Sequence, residues 1–370
     1  MSMVKGWCPD AWHPMAAGDG LLVRVRPPLG RINAAQLIGL SEAAAIHGNG
    51  LIDLTSRANL QIRGVSEQGW RPLVERLVSL GLTNADPRME ARRSLMVAPE
   101  WQAGDDTARV AEELIGRLAE LPELPAKIGF VIDAGHAPQL IGEAGDFRIE
   151  RGAHGGLILR ADGRALGVDV IVGREVDALI ALAHWFVASG GSAAGRMARH
   201  DARLPDWAEG HIAPASAVIP VRAGAHPLGF AYGVPFGQIE APTLAELATG
   251  AVRLTPWRTL IVEGDAGRPI RGLLHDPLDP LLRVDACPGK PRCPQASVET
   301  RLLAQRIAPH VDGRLHVSGC AKGCACATAA HLCITGRDGH YDIAKNAKAG
   351  SPPVRAGMDM PALLAYLGVY

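Results

Sequence analysis

The sequence predicts an α+β protein built from two similar halves, the second of which carries a metal-binding segment. Three observations predict this. Strand-like and helix-like hydrophobic patterns follow one another near the start in the order β-α-β-β-α. Two phrases of the first half return in the second, a sign of internal duplication. Five of the seven cysteines fall between Cys287 and Cys326.

Taken in order, the chain begins with an irregular arm, Trp7-Cys8-Pro-Asp-Ala-Trp12-His13, which reads as a segment packed by its tryptophans, although Cys8 and His13 could ligate a second metal. Alternation from Leu21 through Arg26 marks a strand, and Asn33 caps an amphipathic helix from Ala34 to His47 that Gly48 stops. Strands follow around Leu51 to Thr55 and Leu60 to Val65, then a helix through Trp70 to Val78. This succession is that of a ferredoxin-like unit. Arg92-Arg93-Ser94-Leu95 opens a second segment. It contains a capped helix from Thr107 to Glu120, a strand from Lys127 to Asp133 and a hairpin-like pair from Leu157 to Val168 that turns at Asp162-Gly163. Val176 to Ala188 is the most apolar helix, but Asp177 and His184 interrupt it and it is too short to span a bilayer. Residues 196–225, rich in Ala, Pro and charge, read as the connection between halves.

The duplication is direct. Pro28-Leu-Gly-Arg-Ile-Asn-Ala-Ala-Gln-Leu37 returns as Pro235-Phe-Gly-Gln-Ile-Glu-Ala-Pro-Thr-Leu244, and Leu54-Thr-Ser-Arg57-Ala-Asn-Leu-Gln-Ile returns as Leu254-Thr-Pro-Trp-Arg258-Thr-Leu-Ile-Val. The Asp162-Gly163 turn is answered by Asp338-Gly339. A pseudo-two-fold molecule with a cleft between its halves is expected, a natural place for a large ligand. The expected division is 1–83, 84–195, 196–225, 226–280 and 281–370, with the cysteines in the last.

Lys plus Arg and Asp plus Glu each total 38, so no global field recruits nucleic acid or a membrane, and any anion site must be built locally. No basic stretch followed by an apolar one opens the sequence, and a cytoplasmic protein is expected. An odd cysteine count concentrated in one motif argues against a disulfide framework and suits a reducing compartment.

The cysteine segment reads Cys287-x5-Cys293, a spacer, then Cys320-x3-Cys324 with Cys326 beyond. Glycine and proline keep these loops open, so that amide N–H groups can face an inorganic core. Structural zinc sites favour paired ligands separated by about two to four residues, usually twice. Gaps of five and three favour an iron–sulfur cluster, with zinc or a set of buried thiols as the competing readings.

His316-Val-Ser-Gly-Cys-Ala-Lys-Gly-Cys324 and its upstream partner resemble the cluster cysteines of the siroheme sulfite and nitrite reductase superfamily. The wording is similar to the precorrin-3B synthase branch, since siroheme reductases tend to carry Pro-Asn where Ala321-Lys322 stands here. The resemblance covers nearly the whole chain. It implies a duplicated reductase-like architecture of two ferredoxin-like half-domains and two α+β iron–sulfur-type domains. It also implies a 4Fe-4S cluster on Cys287, Cys293, Cys320 and Cys324, with Cys324 nearest the macrocycle; Cys326 matches no ligand position.

Gln61 and Arg63 alternate on one strand and should share a face, with Arg57 just before it, and arginine forks suit carboxylates. By resemblance, Arg57 matches the family's Thr-x-Arg, Arg93 its Arg-Asn-Val and Lys127 the first lysine of its Lys-x-Lys. Arg258 is the duplicated candidate, offset because Trp257 occupies the position of Arg57. Gly129 stands where a reductase carries its second lysine and Ser94 replaces the usual Asn. A missing cation weakens the case for sulfite or nitrite, whose small charges need concentrated positive potential.

What the resemblance implies is an O2-dependent monooxygenase of aerobic cobalamin synthesis that hydroxylates precorrin-3A at C20 with lactone formation. The alternatives are a siroheme-dependent sulfite or nitrite reductase and, from another class, a non-catalytic tetrapyrrole carrier with a structural cluster. The family precedent adds a mononuclear non-haem iron, whose ligands could come from His13, His136, His154, His316, His331 or His340. No Gly-x-Gly-x-x-Gly opens a helix after a strand, so electrons are expected from an external ferredoxin or NADH-dependent reductase.

Overall fold

The computed structural model describes residues 9–369, so Cys8 and its expected pairing with His13 lie outside the described residues. The first repeat runs through β1 (Met15–Ala17), β2 (Gly20–Val25), β3 (Arg31–Ile32), α1 (Ala34–His47), β4 (Leu51–Leu54), β5 (Leu60–Val65) and α2 (Glu67–Ser79). The Asn33 side chain accepts from the Gln36 N–H while the Gln36 side chain accepts from the Asn33 N–H, a reciprocal cap that fixes where α1 begins. Then come α3 (Pro87–Arg92), β6 (Leu95–Val97), α4 (Asp106–Gly116), β7 (Phe130–Asp133), β8 (Phe147–Arg151), β9 (Leu157–Ala161), β10 (Val168–Asp169), α5 (Glu175–Ala188) and α6 (Gly191–Ala194). The second repeat has β11 (Gly224–His226), β12 (Gly229–Gly233), β13 (Gln238–Glu240), α7 (Ala241–Glu246), β14 (Val252–Leu254) and β15 (Thr259–Glu263). It ends with β16 (Val284–Ala286), α8 (Arg301–Ile307), β17 (Leu315–Ser318), β18 (Ala330–Arg337), β19 (His340–Ala347), β20 (Arg355–Met358) and α9 (Met360–Tyr366). No helix among the described residues is long and apolar enough to cross a membrane.

The expected duplicated α+β fold is the observed one. Four five-stranded sheets form two matched pairs, β1-β2-β5-β4-β13 with β11-β12-β15-β14-β3, and β6 to β10 with β16 to β20. Backbone detail repeats as well: Leu29 and Phe236 both take positive φ (50° and 56°), as do Ala58 and Arg258 (50° and 57°). That second pair confirms that Trp257, not Arg258, stands in the place of Arg57.

The two repeats exchange an edge strand. β13 pairs with β4 (Gln238 opposite Asp53), and β3 pairs with β14 (Arg31 opposite Arg253). Neither ferredoxin-like sheet therefore comes from one continuous stretch, and Ile32, Leu37, Ile52, Ile62, Ile239, Leu244, Val252 and Leu260 form one shared core. Burial of such side chains, at roughly 25 cal/mol per Å² of apolar surface, ties the halves together.

Three sequence expectations are corrected. β7 begins at Phe130 rather than Lys127, because the Ile128 N–H turns back to the Pro125 carbonyl. α4 ends at Gly116, and a separate turn covers Leu118–Glu120. Asp162-Gly163 follows β9, whereas Asp338-Gly339 joins β18 to β19; in the matched order these are different places, so the two turns are not counterparts.

Candidate metal centre and adjoining cleft

β16 and β17 are parallel neighbours, with Ala286 beside Val317, and both run directly into cysteine loops at their carboxyl ends. The loops bind each other. Gly319 N donates to Cys287 Sγ at 3.2 Å, Ser297 N to the Gly319 carbonyl at 2.8 Å, and Cys293 N to the Gly289 carbonyl at 2.8 Å. A Cβ on Gly319 would lie 2.5 Å from that of Ala296, so the approach requires glycine. Cys287, Cys293, Cys320 and Cys324 are free thiols. Burial pushes the Cys324 thiol up, and the nearby Cys320, Cys287 and Cys293 push it the same way against the pull of Lys322. Four free thiols, with a backbone N–H on one sulfur, are a donor set whose chemistry suits a cluster taking one thiolate per iron. Cys326 instead donates to the Thr328 carbonyl at 3.2 Å, and buried Cys333 lies 3.7 Å from His316 Nδ1.

Among the described residues no group of three or more His, Cys, Asp or Glu, the four thiols included, is arranged to hold a metal ion, so the structure assigns no ligands to the expected mononuclear iron. His13 is bonded to Asp10, His154 to Asp169 and His340 to the Asp338 carbonyl, while His136 and His331 are exposed. His316 is fully buried with Nε2 unbonded, and burial lowers its pKa.

The expected cationic residues fall into four places. Arg57 donates to Ser94 Oγ at 3.4 Å and to the Lys127 carbonyl at 3.2 Å, and a Cβ on Gly129 would lie 3.2 Å from Arg57 Nη1. The two departures from the family pattern, Ser94 and Gly129, thus both adjoin Arg57. Arg93 is bound to Glu90 and to the Arg26 carbonyl, each at 2.8 Å. Gln61 and Arg63 share a face of β5 as expected, but Gln61 accepts from Arg24 and Arg63 grips both Asp19 and Asp53. Burial works against the charge on Arg63, yet those two carboxylates hold its pKa above the ordinary value. Arg258 anchors the β16 strand through the Val284 carbonyl and Asp285.

Beside the first cysteine loop lies a cleft of about 770 Å³, bounded by β13, by Pro288 to Arg292 and by α8. Arg271, Lys290, Arg292 and Arg301 line it together with Glu240, Glu246 and Glu299. Sequence reasoning missed these residues. A signal was present, since Lys290 and Arg292 sit inside the Cys287-x5-Cys293 motif and Arg301 follows it closely.

The family described as nitrite/sulfite reductase ferredoxin-like half domain matches residues 13–80. The Mycobacterium tuberculosis NirA protein has a similar fold, with a TM-score of 0.57 over 90% of this chain and 76% of that one at 17% identity. A ferredoxin–nitrite reductase of Synechococcus elongatus is 26% identical over 86% of this chain and 76% of its own length. Duplicated sheets and paired cysteine loops define the nitrite and sulfite reductase class. A precorrin-3B synthase of a Sinorhizobium species is 31% identical over 95% of this chain and 85% of its own length. The chain belongs to the precorrin-3B synthase family.

Proposed function

We propose that the protein is an O2-dependent monooxygenase that converts precorrin-3A to precorrin-3B by hydroxylation at C20 with lactone formation. The carrying observation is a cleft beside the first cysteine loop in which Arg271, Lys290, Arg292 and Arg301 outnumber Glu240, Glu246 and Glu299. A tetrapyrrole fringed with carboxylates suits such a lining, because each charge-assisted contact both orients and retains it. Cys287, Cys293, Cys320 and Cys324 would hold a 4Fe-4S cluster, which supplies single-electron transfer. One atom of O2 enters the substrate and the other leaves as water, the electron pair coming from an external ferredoxin or NADH-dependent reductase. Arg57 and Lys127 would bind substrate carboxylates. The reductase alternative, with bound siroheme, draws support from the Synechococcus relative; the glycine at 129 beside Arg57 speaks against it, since a small oxyanion needs a second cation there.

The test is turnover. Anaerobically purified protein given precorrin-3A, an electron donor and 18O2 should form a product heavier by one labelled oxygen atom, and none without oxygen. Tightly bound siroheme with sulfite or nitrite reduction, and no oxygen incorporation, defeats this reading.

A further inference from the structure

Two arginines in the cleft converge on one neutral oxygen. Arg292 and Arg301 each donate to Gln238 Oε1, at 3.0 and 2.5 Å. Gln238 is braced in turn: its Nε2 donates to Asp53 Oδ1 at 2.7 Å, and Arg63 holds the other oxygen of Asp53 at 2.7 Å. Arg301 Nε is buried with no hydrogen-bond partner, and its guanidinium lies 5.6 Å from the Phe236 ring. Burial holds the Arg301 guanidinium below its ordinary pKa; Asp53 opposes this, and the positive charges of Arg292 and Arg63 add to it. A buried donor left unpaired is costly, and two like charges sharing one amide oxygen raise that cost.

The matched position of the second sheet carries a different arrangement of charge. In the matched sheets Arg31 stands where Gln238 does, Arg253 where Asp53 does, and Glu263 where Arg63 does. There the two arginines close on a carboxylate of the chain itself, Arg31 at 2.8 and 2.6 Å and Arg253 at 2.6 Å. In the cleft the carboxylate of the matched cluster, Asp53, is taken by Arg63 and Gln238, and Arg292 and Arg301 meet at the neutral Gln238 oxygen.

We propose that Arg292 and Arg301, positioned by Gln238, form a carboxylate-binding site that receives one acid side chain of a polycarboxylate ligand in the cleft. That the ligand is a tetrapyrrole rests on the functional reading above; the anion site does not.

The experiment uses cluster-loaded protein with uroporphyrin I as a fluorescent octacarboxylate probe and citrate as a small competitor. Wild type should bind uroporphyrin saturably and citrate should displace it. Arg292→Gln, at an exposed position that folding tolerates, and Arg301→Gln should each weaken both ligands about tenfold or more, as expected for a lost charge-assisted contact. Arg301→Lys should recover part of the affinity, and iron content should not change in any variant. Uroporphyrin affinity unchanged in both glutamine variants overturns the site while leaving a tetrapyrrole ligand in place, and failure of wild type to bind either polycarboxylate overturns it outright. Arginine-dependent citrate binding without conversion of precorrin-3A upholds the site and removes the functional reading.

Discussion

At the carboxyl ends of β6 and β7 the chain holds its own loop, whereas at the matching ends of β16 and β17 it presents thiols. Ala98 N donates to the Ile132 carbonyl at 2.9 Å, the bond that Cys287 N makes to Val317 at 3.3 Å, so alanine occupies the place of the first cluster cysteine. The loop after β7 is pinned by Asp133 Oδ2, which accepts from Gln139 N and Leu140 N at 2.8 and 2.6 Å. Buried Arg148 reaches the Leu140 and Glu143 carbonyls, and Glu150 lies between Arg148 and Arg160. From the second sheet Arg253 stacks over Trp101 at 4.4 Å and donates to the Pro99 and Trp101 carbonyls. The corresponding space beside Cys287 is the open cleft. One copy of the duplicated fold is thus completed by its own side chains, and the other presents free thiols beside an open cleft.

The sharpest way to break this comparison is to remove a thiol. Serine at Cys287, Cys293, Cys320 or Cys324 should abolish a content of about four iron and four sulfide per chain. Loops 287–300 and 319–326 should then become sensitive to protease while 98–105 and 134–146 stay protected; serine at Cys326 or Cys333 should leave iron intact. Loss of iron in the Cys326 variant with Cys324 dispensable would reassign the fourth ligand.

The clusterless half should respond to charge instead. Glu150→Gln strands Arg148, which is 1% exposed, and should cost about 3 to 5 kcal/mol in denaturant unfolding with iron content unchanged. Iron loss in that variant would mean that the Glu150 cluster also supports the cysteine loops.

A smaller effect follows pH. Burial raises Asp133 to about 6 from 3.8, against the pull of the Leu140 and Gln139 N–H groups. A carboxyl with a raised folded pKa contributes stability that is complete below about pH 4 and lost as pH rises through about 6. Asp133→Asn should flatten unfolding free energy across that window by up to ~3 kcal/mol, and an unchanged slope would show that Asp133 ionises as readily folded as unfolded.

The smallest test concerns the repeated helices. α1 has a reciprocal cap at Asn33, and α7 has no side-chain cap at Glu240. Asn33→Ala should cost about 1 kcal/mol and Glu240→Ala almost nothing, read from thermal unfolding. Equal losses would remove the distinction.

The sequence alone determined the local features. The extent of α1 is written in Asn33 and Gly48, and the duplication in the Pro28 and Pro235 phrases, because caps and repeats depend on neighbours along the chain. Tertiary structure decided the rest. β3 is two residues long and carries no readable period, so its departure to the other sheet follows only from the edge that β14 offers. Strand alternation places Arg63 on its face of β5, but only the tertiary structure brings Asp19, from the turn between β1 and β2, to its guanidinium. Gln238 meets Asp53 across 185 residues and gathers Arg292 and Arg301 at its other end, and charge placed by such long-range packing has no signature in sequence order.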